Sequence, residues 1–192
     1  MTLPTPLPYG VRDIRVTGYA DAAGTTLGSV VTDFPYGRTM SFSETEEFEE
    51  LRGDDRVVTT RGKGAIVEFE FEAGGLSLDV WKVLTGGTIT DSGTTPAKKR
   101  KYTKTGRGGR PWFLTEGQII SDSGGDLHVV LYRCRMTDTL EGSFEDGSFF
   151  MTSGSGQALP LLNATNDVLY DIVQNETAVP ISSTALTLPA DS

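Results

Sequence analysis

The chain has 192 residues, of which 37% are hydrophobic and 22% are charged. This composition is typical of a globular domain with a buried core, and it excludes a wholly disordered chain. The formal net charge of −9 disfavours general binding to nucleic acid phosphates. No apolar run approaches the length of a membrane span, so we predict neither an anchor nor an export signal.

The 23 glycines, together with many serines and threonines, indicate frequent turns and β-structure. We therefore expect one mainly β domain over residues 11–160. It is preceded by an extended arm over residues 1–10 and followed by a second extended arm over residues 161–192.

The first arm is predicted from three prolines within nine residues. Each proline removes a backbone donor and favours extended geometry in the residue before it. Arms of this kind usually dock on another molecule, so this segment is a predicted interaction element. Its candidate contact residues are Pro4, Pro6, Pro8 and Tyr9.

Residues 43–62 follow three predicted strands and are strongly acidic. The glutamates are interrupted by Phe48 and Leu51, and the stretch ends at a turn containing Asp54 and Asp55. We predict a long charged loop between two strands rather than a tight hairpin, and long loops often carry interactions.

Residues 65–72 give the clearest strand pattern in the chain. Val67, Phe69 and Phe71 alternate with acidic residues, so one face is apolar and the other is acidic. The acidic face carries Glu68, Glu70 and Glu72.

A short helix is predicted at about residues 78–85. Ser77 is a suitable N-cap, and Gly86 with the following glycine gives a C-terminal stop. The apolar residues follow helical spacing and are expected to pack the helix on the sheet. They are Leu76, Val80, Trp81, Val83 and Leu84.

The segment from residue 91 to residue 109 is polar, basic and rich in glycine. We predict a mobile loop there that becomes ordered only against a partner. Outside its basic residues and Arg110, ten basic residues face 26 acidic ones, so the loop is expected to meet an acidic patch on a neighbouring copy. Its candidate contact residues are Lys98, Lys99, Arg100 and Lys101.

Further strands are predicted from alternation around turn residues. Residues 112–120 pair with 127–136, residues 140–144 pair with 148–152, and residues 168–173 form one more strand or an extended arm. Residues 182–192 are predicted to fray.

Residues for catalysis or metal binding are scarce. The only histidine, His128, and the only cysteine, Cys134, lie six apart on one predicted strand, too far for one tetrahedral metal site. The acidic pairs match no calcium loop, and the glycines at 106–109 lack the context of a P-loop. We therefore predict no enzyme activity, no cofactor and no bound metal.

The order of these features resembles the major tail tube protein of long-tailed, non-contractile bacteriophages, of the type found in phages of actinobacteria. The resemblance covers most of the chain. It is carried by residues 7–14, by residues 67–70 leading into 78–87, and by residues 167–173.

This resemblance implies a β-sandwich or barrel with one flanking helix, found in the virion after synthesis in the host cytoplasm. It implies hexameric rings that stack into a hollow tube, with tape measure, tail terminator and distal tail proteins as partners. DNA would pass through the lumen without specific binding. Subunit strands would join edge to edge, and the arms and the long loop would link successive rings.

Carried onto this sequence, the resemblance makes an acidic surface the candidate lining of the lumen, because carboxylates repel DNA phosphates. Solvent exposure on the outside of the tube is the alternative. The candidate residues are Glu44, Glu46, Glu68, Glu70 and Glu72.

Two other functions remain open at this point. One is a tail completion or adaptor protein with the same fold, and the other is a monomeric β-sandwich that binds sugars or proteins. A fold alone does not choose among them.

Overall fold

The computed structural model describes Leu3, residues 5–162 and residues 167–189. Within this part the protein has ten strands and one helix. They are β1 (Pro8–Tyr19), β2 (Leu27–Asp33), β3 (Gly37–Gly53), β4 (Arg56–Gly74), α1 (Leu78–Thr85), β5 (Thr88–Ser92), β6 (Lys99–Thr103), β7 (Phe113–Ser121), β8 (Asp126–Ser143), β9 (Met151–Leu159) and β10 (Tyr170–Asn175).

One antiparallel sheet contains eight of these strands, in the order β2-β1-β7-β8-β9-β4-β3 with β10 added beside β8. The first half of β8 pairs with β7 on one edge and with β10 on the other, and its second half pairs with β9. Strands β5 and β6 form a separate hairpin.

The sheet curls so that β3 lies over β1 and β7. A Cβ on Gly37 at the start of β3 would lie 3.0 Å from the side chain of Ile14 in β1. The crossing is close, because a Cβ on Gly117 of β7 would lie 2.6 Å from the sulfur of Met40 in β3. The prediction of a mainly β, sandwich-like fold with one short helix is confirmed.

The main hydrophobic core lies between the two layers of the curled sheet. Val67, Phe69 and Phe71 are buried there, as the alternation in β4 predicts. The ring of Phe69 meets that of Phe113 edge to face at 6.0 Å. Burying one such side chain stabilises the fold by roughly 1.5–3 kcal/mol relative to leaving it exposed.

The predicted helix is observed at Leu78–Thr85. The Ser77 hydroxyl accepts from the backbone N–H of Val80 at 3.4 Å, and Gly86 ends the helix with a φ of 77°. Val80 and Leu84 are buried in the main core, and Val83 packs against it.

Two of the residues predicted to pack the helix on the sheet, Trp81 and Leu76, have different surroundings. Trp81 contacts the ring of Tyr102 on the β5–β6 hairpin, with 6.4 Å between the ring centroids. Leu76 precedes the helix and is 46% exposed. The prediction that both pack the helix on the sheet is therefore wrong, because the hairpin, not the sheet, lies beside that face of the helix.

The prediction of a long loop at residues 43–62 is also wrong. Strands β3 and β4 run through it as one continuous hairpin, closed by a two-residue turn between the paired residues Gly53 and Arg56. Asp54 and Asp55 have φ of 51° and 60°, the conformation of a type I′ turn. The strands escaped prediction because charged residues lie on both of their faces and leave no apolar alternation.

The basic segment is ordered within the chain rather than mobile. Strands β5 and β6 pair over five residues each. The guanidinium of Arg100 binds both carboxylate oxygens of Asp79 on the helix, at 2.8 and 2.9 Å. The expectation that this segment needs a partner to become ordered is wrong, since the helix already supplies one.

The ends of the described chain lie on the protein's own sheet. Pro8 and Tyr9 already belong to β1, and the backbone N–H of Leu7 donates to the Ser121 hydroxyl at 2.9 Å. Leu186 and Leu188 pack against a cluster of buried apolar residues, so the prediction of fraying from residue 182 is wrong up to residue 189. Pro4 lies outside the described residues.

Candidate assembly surfaces

Part of the β3–β4 hairpin extends beyond the sheet as a two-stranded ribbon, here defined as residues 45–66. Strand β9 pairs with β4 only from Val67 to Gly74, so the ribbon strands pair only with each other. At about 3.3 Å per residue, the paired stretch from Arg56 to Ala65 spans about 30 Å. Both of its edges have unpaired backbone groups.

Large apolar side chains on the ribbon are uncovered. Phe48 is 63% exposed and Leu51 is 61% exposed. An isolated two-stranded hairpin is only marginally stable in water. Four predicted contact residues lie along this ribbon, with Phe48 and Leu51 on its opposite faces: Phe48, Leu51, Asp54 and Asp55.

The outer face of β4 is the acidic face that the sequence predicts. Glu68, Glu70 and Glu72 are flanked by Ser43, Ser41 and Thr39 of β3 on one side and by Gln157, Ser155 and Ser153 of β9 on the other. This acidic face is thus a strip of carboxylates between polar side chains that carry no formal charge.

Two arginines lie beside the acidic face. Arg38 forms an ion pair with Glu72 at 3.1 Å. Arg135 shares the face through its pairing with Gln157, and its guanidinium stacks on the Trp112 ring at 3.8 Å. Both are at the margins, so the centre of the face at Glu68 and Glu70 stays negative.

Glu44 and Glu46 do not belong to this face. Glu44 pairs with Val67 and Glu46 with Ala65, and paired residues point to the same side of a sheet. Both glutamates therefore lie on the opposite side from Glu68, and Glu44 accepts a hydrogen bond from the Tyr170 hydroxyl at 2.8 Å. The five acidic candidates cannot line one surface of a single subunit.

An exposed aromatic surface lies at the other end of β3 and β4. Phe144 is 86% exposed and Phe149 is 93% exposed. Phe150 contacts Phe144 with 4.7 Å between the ring centroids. The sequence predicted a hairpin of residues 140–144 with 148–152 here, but not this surface; the missed signal was the aromatic residues on both sides of its turn.

A groove opens beside this aromatic surface, between the helix, strand β6 and the turn that follows β8. Its apolar lining includes Leu76, Trp81 and Phe150, and its basic wall is formed by β6. In the described part of the chain, no acidic group lies within salt-bridge distance of Lys98, Lys99 or Lys101. Asp79 on the helix forms an ion pair with Arg100 and with none of these three lysines.

The C-terminal segment is fastened across the second face of the sheet by polar contacts. This strap, defined as residues 176–189, donates its Val179 N–H to the buried Asp126 carboxylate at 2.9 Å. Gln118 donates to the Val179 carbonyl at 3.0 Å, and Arg15 donates to the Ile181 carbonyl at 2.8 Å. A second apolar cluster, which includes Leu114, lies beneath it.

The Asp126 carboxylate holds the strap by accepting hydrogen bonds from it and from the neighbouring strands. Burial alone would raise the pKa of its carboxyl, but hydrogen bonds from Asn175, Gln118, Val179 and His128 outweigh burial and lower the pKa to about 2. The carboxylate is therefore charged and satisfied in the folded protein.

His128 and Cys134 offer no catalytic arrangement. His128 contacts Asp126 at 3.0 Å, whereas the buried Cys134 thiol donates to the Leu131 carbonyl at 3.4 Å. Burial raises the pKa of Cys134 to about 12. The two residues are about 20 Å apart along β8, so His128 cannot activate the thiol.

Within Leu3, residues 5–162 and residues 167–189, no group of three potential ligands is positioned to hold a metal ion. No helix in this range has the length and apolarity needed to cross a membrane.

No family model matches the chain, and no curated protein matches it.

Proposed function

We propose that the protein is a structural, non-enzymatic subunit that assembles with copies of itself into stacked hexameric rings, forming the tail tube of a long-tailed phage virion. The observation that carries this proposal is the ribbon. It extends unsupported from the sheet, has two open edges and exposes Phe48 and Leu51. A partner that pairs with the edges and covers these side chains resolves all three features.

The positions of the exposed surfaces favour a polymer over a closed dimer. The ribbon tip lies where β3 ends, and the aromatic surface lies where β3 begins and β4 ends. Different surfaces at opposite ends of a subunit favour head-to-tail contacts, which form rings or open filaments rather than symmetric pairs. A tube of stacked rings contains both kinds of contact.

The acidic face supports the role of a conduit for DNA. Its carboxylates at Glu68 and Glu70 have no ion-pair partner within the described chain, and phosphates would be repelled from them. We propose that this face lines the lumen, and that Glu44 and Glu46 lie away from it. The other expected tail proteins would contact the ends of the tube, and the DNA would pass without specific contacts.

Negative-stain microscopy of the purified chain over a range of concentrations tests the proposal. We expect rings or tubes that become more abundant as the concentration rises, together with large particles in light scattering. A chain that stays monomeric at every concentration would overturn the proposal and favour a binding module. Single rings that never stack would favour the adaptor alternative.

A further inference from the structure

Two surfaces at opposite ends of the subunit are uncovered and opposite in charge. The ribbon, residues 45–66, has six acidic and four basic residues; all six acids lie in its first strand and turn, up to Asp55, where Arg52 is the only basic residue. From Ser92 to Arg110 there are seven basic residues and no acidic one. Such surfaces attract each other over about 8–10 Å at ordinary salt.

The acidic residues of the ribbon have few partners within their own chain. Glu50 pairs with Arg52 at 2.7 Å and Glu49 with Lys63 at 3.5 Å. In the described chain, no basic group lies within salt-bridge distance of Glu46 or Glu47. The ribbon therefore retains a net negative charge beside exposed apolar side chains.

The groove has the complementary combination. Its floor is apolar and aromatic, with Trp81 and Phe150, and Lys99 and Lys101 stand in its wall without an acidic partner in the described chain. Apolar contact at the centre with charges around it is the usual anatomy of a specific protein interface.

The distance between the two surfaces excludes contact within one copy. Strand β4 has 19 residues and spans about 60 Å. It begins at the tip, and it ends beside the groove, where the Gly75 N–H donates to the Phe150 carbonyl at 2.7 Å. A tip can reach a groove only in another copy.

We infer that the ribbon of one copy docks through residues 46–58 in the groove of a second copy, with Phe48 or Leu51 on the aromatic floor and the glutamates against Lys99 and Lys101. This inference rests on the proposed self-assembly and specifies the two surfaces that meet. The contact joins different surfaces, so it propagates from copy to copy.

Disulfide trapping tests the pairing directly. One variant carries Leu51→Cys at the tip and the other Leu76→Cys in the groove; both positions are exposed, and the native Cys134 is buried. We expect a cross-linked pair when the two variants are mixed under mild oxidation, at a yield well above that of either variant alone. Val30→Cys, exposed on β2, is the matched control and should not cross-link with the tip.

The outcomes separate this inference from the proposed function. Tubes without the mixed cross-link would overturn the docking inference and leave self-assembly intact. Cross-linking of the Leu51→Cys variant with itself would also overturn it, because ribbons would then pair with each other. If neither tubes nor cross-links form, both the docking inference and the proposed function are overturned.

Charge exchange tests the electrostatic part. Reversing Lys99 and Lys101 to Glu should abolish assembly at low salt, and adding Glu46→Lys and Glu47→Lys in the same chain should restore it. The control Arg12→Glu reverses an exposed charge on β1 and should assemble normally. If the variant with all four substitutions assembles no better than the variant with Lys99→Glu and Lys101→Glu alone, the pairing of these charges is overturned.

Discussion

The two halves of the β3–β4 hairpin share one backbone pairing but have different surroundings. From Val67 to Gly74, strand β4 is paired on both edges and alternates between core and surface. In the ribbon half, β4 is paired on one edge, and its side chains from Arg56 to Arg61 are all exposed. The same hairpin is therefore part of the core at one end and a free surface at the other.

This difference separates folding from assembly. Buried apolar area is the main source of folding stability, and it lies in the half beside β9. The ribbon adds mainly cross-strand hydrogen bonds and weak surface ion pairs. Substitutions in the first half should change the free energy of unfolding, and those in the second half should change association.

The largest expected effect is at Phe69. Replacing it by Ala removes a side chain that is 2% exposed and should lower the free energy of unfolding by about 3–5 kcal/mol. The matched substitution Phe48→Ala in the ribbon should change it by about 0.5 kcal/mol or less. Urea unfolding followed by circular dichroism measures both changes in the free energy of unfolding. Equal losses for the two variants would contradict the separation of folding from assembly.

A smaller loss is expected from Asp126→Asn, which leaves buried donors poorly matched and should lower the free energy of unfolding by about 1–3 kcal/mol. The pKa of Asp126 is lowered from 3.8 to about 2. Its stabilisation is therefore complete above pH 3.8 and is lost as the pH falls toward 2. Between pH 5 and pH 2, the free energy of unfolding should fall more steeply with decreasing pH for the parent than for the Asp126→Asn variant.

Excising the ribbon should leave the body folded. Replacing residues 46–65 by Asn-Gly joins the paired residues Thr45 and Ile66 through a two-residue hairpin turn. We expect the free energy of unfolding to change by about 1 kcal/mol or less and assembly to be lost. Circular dichroism with negative-stain microscopy checks both, and normal tubes from the shortened chain would contradict the role of the ribbon.

The smallest effect on folding is expected on the acidic face. Replacing Glu68, Glu70 and Glu72 together by Lys should alter the free energy of unfolding by about 0.5 kcal/mol or less, because all three lie on the outer face. If this face lines the lumen, phage carrying the change should release DNA slowly when triggered in vitro. The triple change to Gln is the control, and normal release from intact Lys tails would place the face outside the lumen.

Local patterns were sufficient for several elements. The helix at Leu78–Thr85 follows from Ser77, Gly86 and the apolar spacing between them. The buried half of β4 follows from strict alternation, because one of its faces packs on a core. In both cases the physical cause lies within a few residues of the element itself.

Other features could not be predicted because their causes lie far away in sequence. The separation of Glu44 from Glu68 follows from strand register, and the position of Trp81 follows from a hairpin that folds beside the helix. The strap is held by Asp126, 53 residues before Val179. None of these contacts leaves a local pattern in the chain.

The amino-acid sequence by itself determined the mainly β composition, the helix, the turn residues and the charge difference between the two segments, since these depend on side-chain chemistry and local backbone preference. Only the tertiary structure decided which faces those charges occupy, that the acidic segment is a ribbon rather than a loop, and that the aromatic groove lies about 60 Å from the ribbon tip along β4. The reason is that strand register and sheet curvature are set by long-range pairing and core packing, which act between residues remote in the chain.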